Sequence, residues 1–466
     1  MSISPSRKRW ILWIACGVLL RLLLIAFPRP YDDDTGVYLE LGNNLLHHGV
    51  YGMAHGHLLN PCLFRLPGYP LILAATEQLF SGIWRNRWIN VVFLFQASAD
   101  LAGGLLLAAF ARRFLSARAA EVALALAMLC PFTAAYAGVA MTECLSVFAV
   151  SLGIYGAGRA LAAAQAGGRD LWAISLAGCA AGLAMLLRPD GALLFAALAA
   201  GLFAYTAAAG HGLKPRLRSA MASTALFCVV ALLPLVPWTV RNWTVFHVFE
   251  PLAPRHVNDP GERVNLGFYR WMRTWSVEYA TTDSVFWSVG SENIDLGDLP
   301  ARAFDSPQQM GETRLLLDEY NRWNGISPEL DERFAALAAE RIRTHPVRYY
   351  LELPILRVTD LALRPRTEAF YLDISWWLWS EHPGQTIVSV LLGLINLGYM
   401  GLAAWAFLRG RVPLAWMLGG YLLLRCLLLG TMENPEPRYT LEFFPILIVA
   451  AAAAIAPRSN KAIEVS

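Results

Sequence analysis

The chain has 466 residues, 56% of them hydrophobic and only 16% charged, with a formal net charge of +3. Soluble domains carry roughly a quarter charged residues, so a soluble enzyme is excluded. The apolar fraction excludes a disordered chain, and the small net charge gives no bulk basic field for nucleic acid. A multi-span membrane protein remains.

The elements follow in chain order. Arg7, Lys8 and Arg9 precede an apolar run at 10–27 that ends at Phe27-Pro28 with no small-residue cleavage site, which reads as an uncleaved signal anchor. An acidic run, Asp32-Asp33-Asp34, follows it directly. Val37, Leu41 and Leu45 then recur at helical spacing beside Tyr38, which predicts a helix from about Thr35 to His48 that lies along the membrane interface and stops at Gly49. Further apolar runs occupy 66–82, 88–110, 119–138, 141–164, 171–187, 189–208, 218–238, 384–407, 412–431 and 439–457. The run 66–82 is short, opens on Pro67-Gly68-Tyr69-Pro70 and carries Glu77, so it is expected not to cross fully. The basic loops around Arg112, Arg159, Lys214 and Arg409, and the tail with Arg458, then all fall on one side, giving ten crossings with cytoplasmic termini.

In the long polar segment 241–383, Ser306-Pro307 starts a helix that runs to about Trp323, and Ser327-Pro328 starts another that ends at His345-Pro346. The expected organisation is an N-terminal transmembrane bundle over 1–240 with an external loop at 28–87, an external segment at 241–383, C-terminal transmembrane helices at 384–457 and a cytoplasmic tail at 458–466. Of the seven cysteines, Cys62 alone lies in a polar stretch and no C-x-x-C pair exists, so neither a disulfide nor a thiolate metal site is expected.

Five features carry chemistry, and all collect on the face opposite the basic loops. The carboxylates of the Asp32–Asp34 run suit a general base at a membrane surface, and equally suit a helix N-cap. Arg65, in Phe64-Arg65-Leu66-Pro67-Gly68-Tyr69-Pro70, offers a planar fork suited to phosphate, against the simpler role of an interfacial anchor. Glu143 closes the turn that starts at Pro131 and opens a span, where a carboxylate is costly unless paired. Arg241 and Asn242, in Pro237-Trp238-Thr239-Val240-Arg241-Asn242, suit a lipid phosphate and a sugar, although an Arg just past a span also snorkels to headgroups. Arg438, in Glu433-Asn434-Pro435-Glu436-Pro437-Arg438-Tyr439, is a further cation for phosphate or a plain loop charge.

These motifs, with Asp34 four residues before Tyr38, His47-His48-Gly49-Val50-Tyr51 and Arg188-Pro189-Asp190, resemble the GT-C membrane glycosyltransferases over residues 1 to about 457. More narrowly, the pattern resembles bacterial relatives of protein O-mannosyltransferases and of the lipid A aminoarabinose transferase. The resemblance implies an all-α polytopic bundle of about 10 to 12 transmembrane helices, with interfacial helices in the first external loop and a mixed external segment. It further implies a polyprenyl-phosphate sugar donor, a catalytic Asp at position 34 (Asp33 being the alternative base), and transfer with inversion to a hydroxyl of a lipid, glycan or protein at the outer face of the bacterial inner membrane. Tyr38, Arg65, Tyr69, Glu143, Arg241, Asn242 and Arg438 are the expected donor-binding residues. No metal site is assigned, and divalent-metal dependence is left open. The alternative is a transporter or flippase of lipid-linked sugars, favoured by the midplane charges Arg21, Asp100 and Arg425.

Overall fold

The computed structural model describes residues 5–27, 33–83, 87–209 and 212–456. Nineteen α-helices follow one another along these residues: α1 (Pro5–Ala26), α2 (Asp33–His48), α3 (Gly68–Phe80), α4 (Trp88–Phe114), α5 (Ala117–Leu129), α6 (Pro131–Ala135), α7 (Glu143–Gln165), α8 (Leu171–Leu187), α9 (Gly191–Ala208), α10 (Leu213–Leu232), α11 (Val236–Phe246), α12 (Leu266–Arg273), the single turn α13 (Tyr279–Thr281), α14 (Pro307–Trp323), α15 (Pro328–Thr344), α16 (Leu353–Leu363), α17 (Pro383–Leu408), α18 (Ala415–Gly430) and α19 (Phe444–Ile455). Between α2 and α3 a short antiparallel hairpin pairs β1 (Gly52–His55) with β2 (Leu58–Pro61).

Among the described residues, eight helical stretches are long and apolar enough to cross a membrane, and α8 and α18 are shorter apolar helices. The all-α polytopic expectation is met. The run expected at 66–82 contracts to the 13-residue α3, about 20 Å long and too short for a ~30 Å hydrocarbon core. The run expected at 218–238 is longer than its apolar stretch: helix continues over Lys214–Phe246, through a 3₁₀ turn at Leu233–Leu235 where Pro234 cannot donate to the ladder.

The chain packs as two compact units, one made of 1–261, 398–422 and 441–466, the other of 262–397 and 423–440. In the first, small residues let helices approach closely, as is usual between membrane helices. A Cβ at Gly68 would lie 2.6 Å from the Leu186 carbonyl oxygen, so glycine is what lets α3 start against α8. A buried ion pair pins α1 to α4 and α5. Arg21 donates to Asp100 at 2.6 and 2.9 Å and to the Gly17, Met128 and Ala127 carbonyls at 3.0, 2.7 and 3.1 Å. Its guanidinium is thus spent within the bundle, which explains one of the midplane charges that favoured a transport pathway without any ligand.

The second unit has a soluble-type core. Ser306 and Ser327 cap α14 and α15 by accepting from Gln309 N and Leu330 N, with Pro at the first position of each helix. Trp271 and Trp275 of the segment after α11 are fully buried, 5.0 Å apart between ring centroids, and Phe334 of α15 packs 4.9 Å from Trp271. These two tryptophans are core rather than membrane-belt or sugar-stacking residues. Sequence periodicity missed them because α12 is only eight residues long and Trp275 lies beyond its end.

Candidate active site

The helix expected from Thr35 to His48 forms as α2, and the chain leaves it through Gly49 at φ +68°, the left-handed residue that ends a helix. Thr35, Tyr38, Leu41, Gly42 and Asn44 are its buried residues, a pattern that sets one face of the helix against the protein. Leu41 packs with Tyr51, Cys62, Leu63, Leu66 and Trp238. Tyr31 and Asp32 lie outside the described residues, and of Asp33 only its place at the start of α2 is described.

Asp34 stands in the first turn of α2 and is partly exposed; its carboxylate accepts a short hydrogen bond from Arg65 Nη2. The Arg65 guanidinium lies 5.7 Å from the Tyr38 ring centroid, and Tyr38 meets Tyr69 edge-on at 5.3 Å. Burial pushes the Tyr38 phenol above its ordinary value. Arg65 and Arg188 pull the other way, while Asp34 and Glu143 add to the rise. Tyr38 is therefore a neutral hydroxyl donor. The Arg65 Nε–H is buried and has no acceptor among the described residues. The guanidinium holds Asp34 through Nη2, and the unpaired Nε–H lies on that same edge, beside the carboxylate.

A second layer fixes this cluster. Tyr69 donates to Gln96 Oε1 at 2.6 Å, and Gln96 Nε2 lies 2.8, 3.1 and 3.3 Å from the carbonyls of Val139, Ala137 and Tyr136. The turn that opens at Pro131 is thereby tied to α3 and α4, and Thr35 of α2 donates to its Ala140 carbonyl at 3.4 Å. Glu143, 1% exposed, accepts from Arg188 Nη1 at 3.0 Å; Arg188 Nε reaches Asp190 at 3.2 Å and Glu442 at 3.6 Å. Glu143 is thus an anchor for Arg188, a residue that the sequence placed in a motif but not in the site. The sequence singled out neither Gln96, one of several polar residues in the apolar run 88–110, nor Glu442, which lies just past the Glu433–Tyr439 motif in the apolar run 439–457.

Arg241 and Asn242, expected to bind the donor, both have hydrogen-bond partners within the chain. Arg241 donates to the carbonyls of Cys62 and Tyr51 at 2.7 and 2.8 Å, and the rings of Tyr51, Trp238 and Phe246 lie 5.1–5.6 Å from its guanidinium. Asn242, fully buried, donates to the Glu250 carbonyl at 2.8 Å. Arg241 thereby holds the base of the hairpin on α11, and Asn242 accepts from Arg241 Nη1 at 3.0 Å while it holds the segment after α11; Asp259 also accepts from Leu63 N at 2.6 Å. Arg438 belongs to the second unit, with Nε 2.5 Å from Glu436 and its guanidinium 5.5 Å from the Tyr439 ring. Among the described residues no three His, Cys, Asp or Glu side chains come together to hold a metal ion. His47 instead lies 3.7 Å from Glu77.

The polytopic helical bundle has a GT-C-like fold, that of solved membrane glycosyltransferases. The archaeal oligosaccharyltransferase AglB from Archaeoglobus fulgidus, solved with an inhibitory peptide and a dolichol-phosphate, matches at a TM-score of 0.51 and 14% identity over 97% of this chain and 50% of that one. The same enzyme tethered to an acceptor peptide containing the NVT sequon gives 0.52 and 14%, over 97% and 49%. ArnT from Cupriavidus metallidurans in the apo state gives 0.40 and 17%, over 97% and 78%. The chain spans about half the length of the archaeal enzyme, and at these identities the likeness is one of fold. No family model matches the chain, and no curated protein is similar to it in sequence.

Proposed function

We propose that this protein is an inverting glycosyltransferase that moves a sugar from a polyprenyl-phosphate donor to a hydroxyl of a lipid, glycan or protein acceptor, with Asp34 as general base. The pairing of Asp34 with Arg65 at the start of α2 carries this reading. Asp34 takes the proton of the acceptor hydroxyl while its oxygen attacks the anomeric carbon opposite the phosphate, so the new bond forms with inversion. Inverting glycosidases need a second carboxyl to protonate the leaving oxygen. A phosphate with a second pKa near 6 leaves as an anion and needs none, so one carboxylate and a cationic partner suffice. The buried Arg65 Nε–H, without an acceptor among the described residues, supports a phosphate oxygen beside it. The neutral Tyr38 hydroxyl supports a second contact on donor or base. The dolichol-phosphate held by the archaeal oligosaccharyltransferase supports the donor class.

The basic loops support cytoplasmic termini and a position of α2 at the outer face of the bacterial inner membrane. His57, exposed at the hairpin tip, is a better labelling position than the buried Cys62. A cysteine placed at 57 is expected to react with an impermeant maleimide from the outer side of intact cells, and reaction from the cytoplasmic side alone contradicts the assignment. The activity itself is tested by incubating the purified chain in liposomes with polyprenyl-phosphate sugars and following release of polyprenyl phosphate. Translocation of the donor without release favours the flippase.

A further inference from the structure

A second charged site lies near the N-terminal end of α1, where Arg9 is about 26 Å along the helix from Ala26. There α1, α4 and α5 enclose a cleft of about 630 Å³ lined by Arg9, Trp10, Trp13, Arg112, Arg118 and Glu121. The candidate active site uses none of these residues. Arg9 is engaged with Glu121 in a two-point pair at 2.5 and 2.9 Å, which neutralises one cation. Arg112 and Arg118 are exposed and have no acceptor among the described residues, so the cleft keeps two uncompensated guanidiniums. The first residue of α5, Ala117, also lines it and brings the positive end of that helix dipole, while the Trp13 indole N–H is buried without a partner. All of these features suit a phosphate anion.

The surroundings distinguish a lipid phosphate from a free one. Ile11 and Leu12, directly beyond Trp10 on α1, are each 54% exposed, and Leu19, Leu22 and Leu23 continue an exposed apolar flank along the same helix. Indoles lining the cleft and an exposed apolar flank on the same helix match a headgroup with acyl chains attached. We propose that this cleft is a binding site for an anionic phospholipid, with the phosphate on Arg112 and Arg118 and the acyl chains along α1. A lipid there ties α1 to α4 and α5 at the end remote from Asp34.

Native mass spectrometry of the delipidated full-length chain in detergent tests this, titrating phosphatidylglycerol, phosphatidylcholine of the same acyl composition, and inorganic phosphate. Phosphatidylglycerol is expected to bind more tightly than phosphatidylcholine. The double variant Arg112→Gln/Arg118→Gln is expected to lose about thirtyfold in phosphatidylglycerol affinity, from roughly fivefold per arginine, while Arg113→Gln, outside the cleft lining, keeps it. Glu121→Gln, which frees Arg9, is expected to tighten phosphatidylglycerol binding about fivefold, a gain that a folding defect cannot imitate. Equal affinity for the two lipids, an unaffected double variant, no gain in Glu121→Gln, or displacement of phosphatidylglycerol by equimolar inorganic phosphate overturns the proposal.

Discussion

Arg65 Nη2 donates to the Asp34 carboxylate across 31 residues of sequence, joining the first turn of α2 to the bend that opens α3. The bond sets the direction of a carboxylate that must meet an incoming hydroxyl, and the planar fork provides that direction where an ammonium would not. Arg65→Lys keeps the charge and loses the fork. Its transfer rate is expected to fall about 10- to 100-fold from misplacement of the base alone, with the protein's unfolding temperature little changed. An unaltered rate contradicts a positioning role for Arg65.

Gln96 is the polar residue on which the site rests from within the bundle. Gln96→Leu leaves the Tyr69 hydroxyl and the carbonyls of the 136–139 turn without their partner in a dry interior. At about 1–3 kcal/mol for a buried group left unsatisfied, a loss of roughly 3 kcal/mol is expected in detergent unfolding, together with a lower transfer rate. Full stability in this variant contradicts the clamp.

Arg241→Ala separates two roles. If the guanidinium holds the hairpin through the Tyr51 and Cys62 carbonyls, the variant is expected to become protease-sensitive over 50–66 and to lose about 2 kcal/mol, with the KM for donor unchanged in the folded fraction. A rise in KM with no change in protease sensitivity returns Arg241 to the phosphate.

The ordered core of the second unit carries a pH signature. Burial opposes the charge on Asp305, but its bonds to Arg348 at 2.6 and 2.8 Å and the neighbouring Arg341 hold its carboxyl below the ordinary value. Folding therefore favours the ionised form, so this contribution is complete above the unfolded carboxyl's pKa near 4 and is lost as pH falls through the lower folded value. Hydrogen exchange over 300–345 is expected to accelerate on acidification in the wild type. In Asp305→Asn it is expected to be faster already at pH 7, because the buried Arg341 is left uncompensated. Equal exchange of the two proteins at pH 7 contradicts this assignment.

Much of this arrangement was legible in the sequence where the signal was local. The spacing of Val37, Leu41 and Leu45, the Gly49 stop and the two Ser-Pro starts at 306 and 327 depend on neighbours in sequence, and the elements form where they place them. The rigid bend at Pro67-Gly68 likewise marks where α3 begins. What stayed hidden depends on contacts distant along the chain: the Arg65 partner at 34, the carbonyls that Gln96 gathers 40 to 43 residues on, and the Arg188 carboxylates at 143 and 442. The partners of Arg241 and Asn242 were hidden for the same reason. An arginine just past a span has one composition whether its fork meets a lipid phosphate or the carbonyls of a hairpin 179 and 190 residues earlier.

The most direct test of Asp34 as the base compares wild type and Asp34→Asn in sugar transfer from polyprenyl-phosphate donors, with the anomeric configuration of the product read by NMR. The expected result is an inverted linkage in the wild type and a fall of about 10²–10⁴-fold in the variant, with donor binding retained. Unchanged transfer by Asp34→Asn, or a product that keeps the donor's configuration, contradicts it.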